Sequence, residues 1–291
     1  MASQFKFGRN YFLQVQNPNG GATVTIEPPF TLEFDINREY YSAANAASIR
    51  IYNLGAVTRD LLRHDQIDMG YHQSVILQVG YGELLSTVLI GTITQCWSVR
   101  QGNNYITEII AHDLGFAFAN AQLNMQNPAG TDFSTILKQM VGTLTSFGVQ
   151  VGHISNTFSG TTNRGSSYVG STTDILTDLT GGGFFVDNGV AHCLQDYECL
   201  PDAIYLINSD TGLLGTPLKE NAFWKFDMIL EPNLKLGQRV KIESNSQITN
   251  INQIYKVLSL HHRGTISEAV CGEVITTVGC QAGNYAVVRS V

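Results

Sequence analysis

Two groups of residues combine imidazoles and thiols, the side chains that hold zinc or an iron–sulfur cluster: His192-Cys193 with Cys199, and His261-His262 with Cys271 and Cys280. A zinc site, however, needs ligands at short paired spacings such as C-x-x-C, so that local backbone geometry brings two of them to one ion. This chain has no such pair. Its free cysteines are therefore expected to be buried apolar side chains, with convergence on a metal as the alternative. Glu108 and Asp113 are of the type that could serve a glycosidase as acid and base, but spacing alone does not select a carboxylate pair. They are expected to be solvated or capping groups.

The remaining signals are weaker. Gly165-Ser166-Ser167-Tyr168-Val169-Gly170 lacks the G-x-S-x-G order that exposes a nucleophilic serine at a sharp turn. The triplet Gly181-Gly182-Gly183 follows a helical pattern, whereas a phosphate-binding loop precedes its helix and ends in Lys-Ser/Thr. It reads as a helix stop. No residue is thus assigned a catalytic, cofactor-binding or metal-ligating role, no cofactor is expected, and the chain reads as a non-enzyme.

Composition points to assembly. Of 291 residues only 14% are charged, against roughly 25% in ordinary soluble chains. A surface poor in Lys, Glu and Asp is what the cores of protein–protein interfaces look like. The net charge of −7 and the lack of any basic run exclude a protein that works by neutralising phosphates. An acidic wall could still surround nucleic acid, because like charge prevents sticking. The five cysteines are odd in number and irregularly spaced, so no disulfide framework is legible. The N-terminus has no signal-peptide pattern and no apolar run approaches a membrane span, so folding in a cytoplasm is expected.

The elements that would position any site are mostly strands. Tyr11 to Gln16 and Thr23 to Ile26 flank the turn Asn17 to Gly21 as a hairpin. Phe30, Leu32, Phe34 and Ile36 alternate with polar residues, the period of a half-buried strand. Ile49 and Ile51, then Val75, Leu77 and Val79, follow the same rule. Thr87 to Val99 and Tyr105 to Ala111 pair across Gln101-Gly102-Asn103-Asn104. A short helix, Ala56 to His64, interrupts them. The period then changes: Phe133, Ile136, Leu137, Met140, Val141 and Leu144 share one helix face, with Thr131 or Asp132 as cap. Ser155 to Ser171 reads as a mobile polar loop, and a second helix carries Ile175, Leu176 and Leu179. Strands return at Phe184 to Val186, Val190 to Leu194, Ile204 to Asn208, Ala222 to Leu230, Arg239 to Glu243 and Ile254 to Leu260. The fold expected is mainly β with an α insert: a first small β-barrel over residues 1–113, a helical insert or linker over 114–182, and a second β-barrel over 183–291, both OB-like or tail-tube-like.

The segment Ile204-Tyr-Leu-Ile-Asn-Ser-Asp-Thr-Gly-Leu-Leu-Gly-Thr-Pro217, followed by Leu230-Glu-Pro-Asn-Leu-Lys-Leu-Gly-Gln-Arg-Val-Lys-Ile-Glu-Ser244, resembles the late part of phage baseplate hub proteins. Physically, Gly212 and Gly215 permit positive φ, Pro217 fixes the exit, and Val240 and Ile242 alternate inward. Ile254 to Val257 and His261-His-Arg-Gly264 continue the resemblance. Two departures are Asn245 to Gln253, which replaces a glycine-rich turn, and Thr265 where an acidic residue often stands. Phe34 to Arg38, Ile49 to Leu54, Thr58-Arg59, Gly80-Tyr81, Gly91 and Ser98 to Gly102, with Thr107, Ala111 and Asp113, match the first hub domain more loosely. Only the tail after about Val278 lies outside.

The resemblance implies a structural hub in the virion's tail baseplate, assembled in the host bacterial cytoplasm. It implies a homotrimer whose six β-domains form a pseudo-sixfold, symmetry-adapting ring. The implied partners are the tail tube or a tube-adaptor protein on one face, the central spike on the other, and baseplate wedge proteins outside. The tape-measure protein and DNA would pass through the bore without specific binding. A tail-associated, lysozyme-like cell-wall hydrolase is the alternative from another class, and a secretion-system spike component the nearer one.

Overall fold

A computed structural model of the 291-residue chain describes residues 6–16, 23–41, 44–63, 73–113, 115–244, 253–270 and 272–289. The first part comprises β1 (Arg9–Gln16), β2 (Val24–Ile26), β3 (Leu32–Glu39), β4 (Ala46–Tyr52), α1 (Ala56–Leu62), β5 (Gln73–Tyr81), β6 (Leu84–Gln101) and β7 (Asn104–His112). The middle part comprises α2 (Gly115–Asn120), β8 (Gln122–Asn127), α3 (Phe133–Thr143), a 3-10 turn, β9 (Gln150–Ile154), β10 (Ser166–Ser171) and α4 (Thr172–Thr180). Then come β11 (Phe184–Asp187), β12 (Val190–Cys193), β13 (Glu198–Cys199), β14 (Tyr205–Ile207), β15 (Leu213–Glu220) and β16 (Phe223–Ile229). The last are β17 (Arg239–Ile242), β18 (Ile254–Ile266), β19 (Val274–Ala282) and β20 (Ala286–Val287).

Alternation was a sound guide to strands. Leu32, Phe34 and Ile36 of β3, Ile49 and Ile51 of β4, and Val75, Leu77 and Val79 of β5 are all buried. Phe30, read as part of the same stripe, precedes the strand and is partly exposed. β1 and β2 form the expected hairpin; its turn, Asn17 to Gly21, lies outside the described residues, as do His64 and Asn245 to Asn252. Asp132, not Thr131, caps α3 by accepting from the Thr135 amide at 3.2 Å.

The two expected barrels do not form. Among the described residues no sheet closes on itself. Thirteen strands instead join one open sheet, in the order β15-β16-β19-β18-β3-β4-β7-β6-β5-β1-β2, with β17 on β18 and β14 on β17. The reason lies in β18. Its register with β17 uses Ile254 to Lys256, but from Ser259 to Ile266 it pairs antiparallel with β3, after a register shift between Val257 and Ser259. The edge that could have closed the second unit is spent joining it to the first. The supposed mobile loop is also structured: Ser166–Ser171 is a strand paired with β8, and Asp132 bridges to Thr161. Hydroxyl-rich sequence concealed it because its residues show no apolar alternation.

The buried side chains fall into three clusters. One lies under β1 to β7, a second under β14 to β19 with Tyr40 and Phe185, and a third between α3, α4, β9, β11 and β12. The glycine triplet links the third to the second. Gly181 ends α4 in the left-handed region (φ 62°), and Gly182 donates to the Thr177 carbonyl at 2.9 Å. At Gly183 an added Cβ would sit 1.9 Å from the Leu194 carbonyl oxygen. Gly183→Ala should therefore push the β11–β12 hairpin off its seat and lower stability by about 1–2 kcal/mol. Gly142→Ala, inside α3 with nothing within 4 Å of the new methyl, should raise it by about 0.5–1 kcal/mol. Urea unfolding of both variants checks the opposite signs.

Candidate functional site: the seam of the composite sheet

Eight strands, from β15 through the β18–β3 seam to β6, are all antiparallel to their neighbours. Period two sends one face of them into the cores and the other outward. Register aligns the outward residues in rows across the seam. One row runs Thr265, Glu33, Arg50, Glu108 and Trp97. The next runs Ile275, Arg263, Asp35, Ser48 and Ile110. Arg50 meets Glu108 at 3.2 Å, and His261 Nε2 lies 2.8 Å from Asp35 Oδ1. Such exposed pairs contribute about 0–1 kcal/mol each. The rows are therefore surface chemistry and not scaffold: a largely polar wall, with Trp97, Leu218 and Phe223 also exposed on it, in which Glu33, Asp35, Glu39, Glu108 and Asp227 outnumber Arg50, Arg263 and Lys225.

Behind the seam the chemistry is different. Arg38, on the inward face of β3, is 2% exposed. Its Nε donates to Asp187 Oδ1 at 2.8 Å and its Nη2 bonds the same oxygen. Asp187 Oδ2 accepts from the Leu236 amide at 3.1 Å. Arg38 Nη1 lies 3.3 Å from His262 Nε2, and His262 Nδ1 lies 2.9 Å from Thr276 Oγ1. A guanidinium only donates, so Nε2 must be bare and the imidazole proton must sit on Nδ1. Burial, reinforced by Arg38, holds the His262 pKa well below 6.5.

Beside this junction Asn45 donates to Asp113 Oδ2 at 2.8 Å and to the Val186 carbonyl at 3.1 Å. Burial pushes the Asp113 carboxyl up to about 7, against the bonds from Asn45. Elements from all three clusters thus meet in one buried polar junction.

The late segment braces it. Gly212 and Gly215 adopt positive φ, and Pro217, Leu234, Leu236, Val240 and Ile242 are buried. Gly237 lets the turn approach Phe185, which would lie 3.2 Å from a Cβ there. Glu231 accepts from Tyr205 Oη at 2.5 Å and from Lys6 Nζ at 3.0 Å, which ties the N-terminal arm to this segment. The family model described as Baseplate hub gp41 matches residues 12–263, a span that contains these strands and the seam. The chain belongs to that family.

The hub is a structural protein of the phage tail baseplate. No curated protein matches its sequence. Solved structures share its fold at low identity. A tail protein from Neisseria meningitidis MC58 superposes with a TM-score of 0.61 at 11% identity, covering 97% of this chain and 100% of that one. The 43 kDa tail protein of prophage MuSo2 from Shewanella oneidensis gives 0.59 at 8%, covering 93% and 98%. An E. coli component of the type VI secretion system, described as similar to T4 bacteriophage tail proteins gp27 and gp5, gives 0.58 at 9%, covering 95% and 79%.

The hub's sequence-level candidates are dispersed. Cys193 and Cys199 are buried in different strands, and Cys271 lies outside the described residues. Among the described residues no three His, Cys, Asp or Glu side chains could hold a metal ion together. Glu108 faces the polar wall and Asp113 the interior, so they do not converge. Ser166 and Ser167 lie in β10. Sequence reasoning missed Arg38 and Asp187 and considered His262 only as a metal ligand. The signal available was a lone Arg at an inward position of an alternating strand.

Burial pushes the Cys96 and Cys193 thiols up to about 12 and also raises those of Cys199 and Cys280. These four should resist a thiol reagent at pH 8 in the native hub and react only on unfolding, as mass spectrometry of labelled protein would show.

Proposed function

We propose that three copies of this hub form a pseudo-sixfold ring that joins the tail tube, or a tube-adaptor protein, to the central spike, with wedge proteins outside. The reading takes residues 1–113 and 183–291 as the two repeating units and 114–182 as the insert between them. One observation carries it: the β18–β3 seam joins two four-stranded halves, β15-β16-β19-β18 and β3-β4-β7-β6, edge to edge within one chain. Six such halves make three chains.

The ends of this eight-stranded stretch support continuation from copy to copy. Among the described residues β15 pairs only with β16, and β6 beyond Ile93 pairs only with β7. An even number of antiparallel strands leaves these two edges running in opposite directions. The β15 edge of one copy can then add antiparallel to the β6 edge of the next, a heterologous contact that closes by rotation. In that arrangement the polar wall lines the bore. Its excess of carboxylates keeps the tape-measure protein and DNA from sticking as they pass.

Sedimentation or native mass measurement is expected to give trimers, alone or with the spike. A strictly monomeric protein that never enters a tail particle would overturn the reading.

A further inference from the structure

We infer that the junction of Arg38, Asp187 and His262 is a proton-released latch. While His262 is neutral it holds the helical insert against the seam; when His262 takes a second ring proton the insert is let go and the seam ladder stays. The inference does not depend on the ring.

The geometry makes the latch conditional. Asp187 ends β11, whose hairpin partner β12 pairs with β9 of the 114–182 insert, whereas Arg38 and His262 come from the paired strands β3 and β18. The contact between Arg38 Nη1 and His262 Nε2, 3.3 Å, is attractive only with Nε2 bare. A proton there sets N–H against N–H and one cation against another. From β19, Thr276 receives His262 Nδ1 and also the Glu231 amide at 2.9 Å. On β18 itself, His261 turns to the opposite face and meets Asp35. From β11, Asp187 has Oδ1 committed to Arg38 and Oδ2 to the Leu236 amide. Asp113 is held by the Asn45 amide and side chain. Among the described residues no carboxylate at the junction is therefore free to receive an imidazolium without releasing Arg38.

The insert yields first because of what else holds each side. The seam keeps eight residue pairs of backbone ladder, from Ser259–Glu39 to Ile266–Leu32, held by peptide groups that do not titrate. Beside the packing of Phe185 on the Tyr40 ring, centroids 4.3 Å apart, the hairpin's hydrogen bonds to the first unit among the described residues are Asp187 on Arg38, the Val186 carbonyl on Asn45, and Asn188 Nδ2 on the Thr87 carbonyl at 3.1 Å. Two of the three converge on the junction.

The sign is fixed by linkage. His262 stays unprotonated in the closed form to well below 6.5, while an opened form binds a proton at about 6.5. Opening is thus favoured as pH falls below about 6.5. Asp113, pushed up to about 7, acts oppositely and makes the closed form firmer in acid. His192, lowered to about 4 by burial and accepting from the His153 amide at 3.0 Å, acts in the same direction as His262 and must be separated from it.

Amide hydrogen exchange of the full chain carrying Asp113→Asn, which removes the opposing proton, tests the latch between about pH 7.5 and 5.5 after correction for intrinsic rates. Protection in β11 and β12 should fall below about pH 6.5, His262 contributing up to about tenfold per pH unit, the limit for one linked proton, while β3 and β18 stay protected. His262→Gln, an uncharged side chain that can accept from Arg38, should reduce that fall to the share that His192 contributes. Constant protection in β11, a joint loss in β3 and β18, or an undiminished fall in the Gln variant would each overturn the latch. Should that variant not fold, His192→Gln decides: a persisting fall supports the latch, and its disappearance assigns the effect to His192 and overturns it.

Discussion

Arg38→Met is expected to cost about 3–5 kcal/mol of folding stability, read from urea unfolding at pH 7. The side chain is 2% exposed and its partner Asp187 is 6% exposed. Removing the cation leaves a desolvated carboxylate with, among the described residues, the Leu236 amide as its one remaining donor, and breaking a buried pair from one side carries that penalty. The double variant Arg38→Met/Asp187→Leu should recover most of the loss, because an apolar pair of similar volume removes the stranded charge. It should fall short of the parent by about 1–3 kcal/mol, since the Leu236 amide and His262 Nε2 lose their partners. Arg50→Ala on the polar wall is the contrast. Its bridge to Glu108 is solvent-facing, and the change should stay within about 1 kcal/mol. A similarly small loss for Arg38→Met would mean that water reaches the junction.

That contrast also marks what the sequence disclosed. Period two identified β3, β4, β5, β6 and β7 because each buries one face, and the helical period identified α3 because one stripe packs on the insert's own core. Neither signal says which edge a strand pairs with. The buried stripe of β3 is the same whether its neighbour is β18 or a strand closing a barrel, so alternation was silent on the open sheet. β8, β9 and β10 were missed because strands of two- and three-stranded sheets in a polar insert need little apolar periodicity.

The junction was illegible for a related reason. Arg38, Asp187 and His262 lie 149 and 224 residues apart from the first, and only the β18–β3 register brings Arg38 beside His262. By contrast, the Gly212 and Gly237 turns could be read directly, because each needs a backbone state or a close approach that is local.

Lys256→Met should raise stability at pH 7 by about 1–3 kcal/mol. Lys256 is 1% exposed on β18, with Nζ 3.3 Å from the Asp196 carbonyl and 4.2 Å from the centre of the Tyr40 ring. The ring contact favours the cation by up to about 2 kcal/mol. Burial nevertheless lowers the pKa from 10.5 to about 8, against the pull of Asp196, Cys199 and Glu198. At about 1.4 kcal/mol per unit, holding the charge inside costs on the order of 3 kcal/mol. Desolvation wins, and a methionine of similar length fills the space without it.

The same argument gives the pH dependence. Between about 8 and 10.5 the unfolded chain keeps a proton that the folded chain has released, so Lys256 by itself adds stability as pH rises across that interval. The buried cysteines and tyrosines, whose pKa values are raised, pull the other way above about 9 and 10 in parent and variant alike. The stability advantage of Lys256→Met over the parent, read from urea midpoints at pH 7, 8, 9 and 9.5, should therefore shrink as pH rises. A variant less stable than the parent by more than about 1 kcal/mol would show that the Tyr40 contact outweighs desolvation.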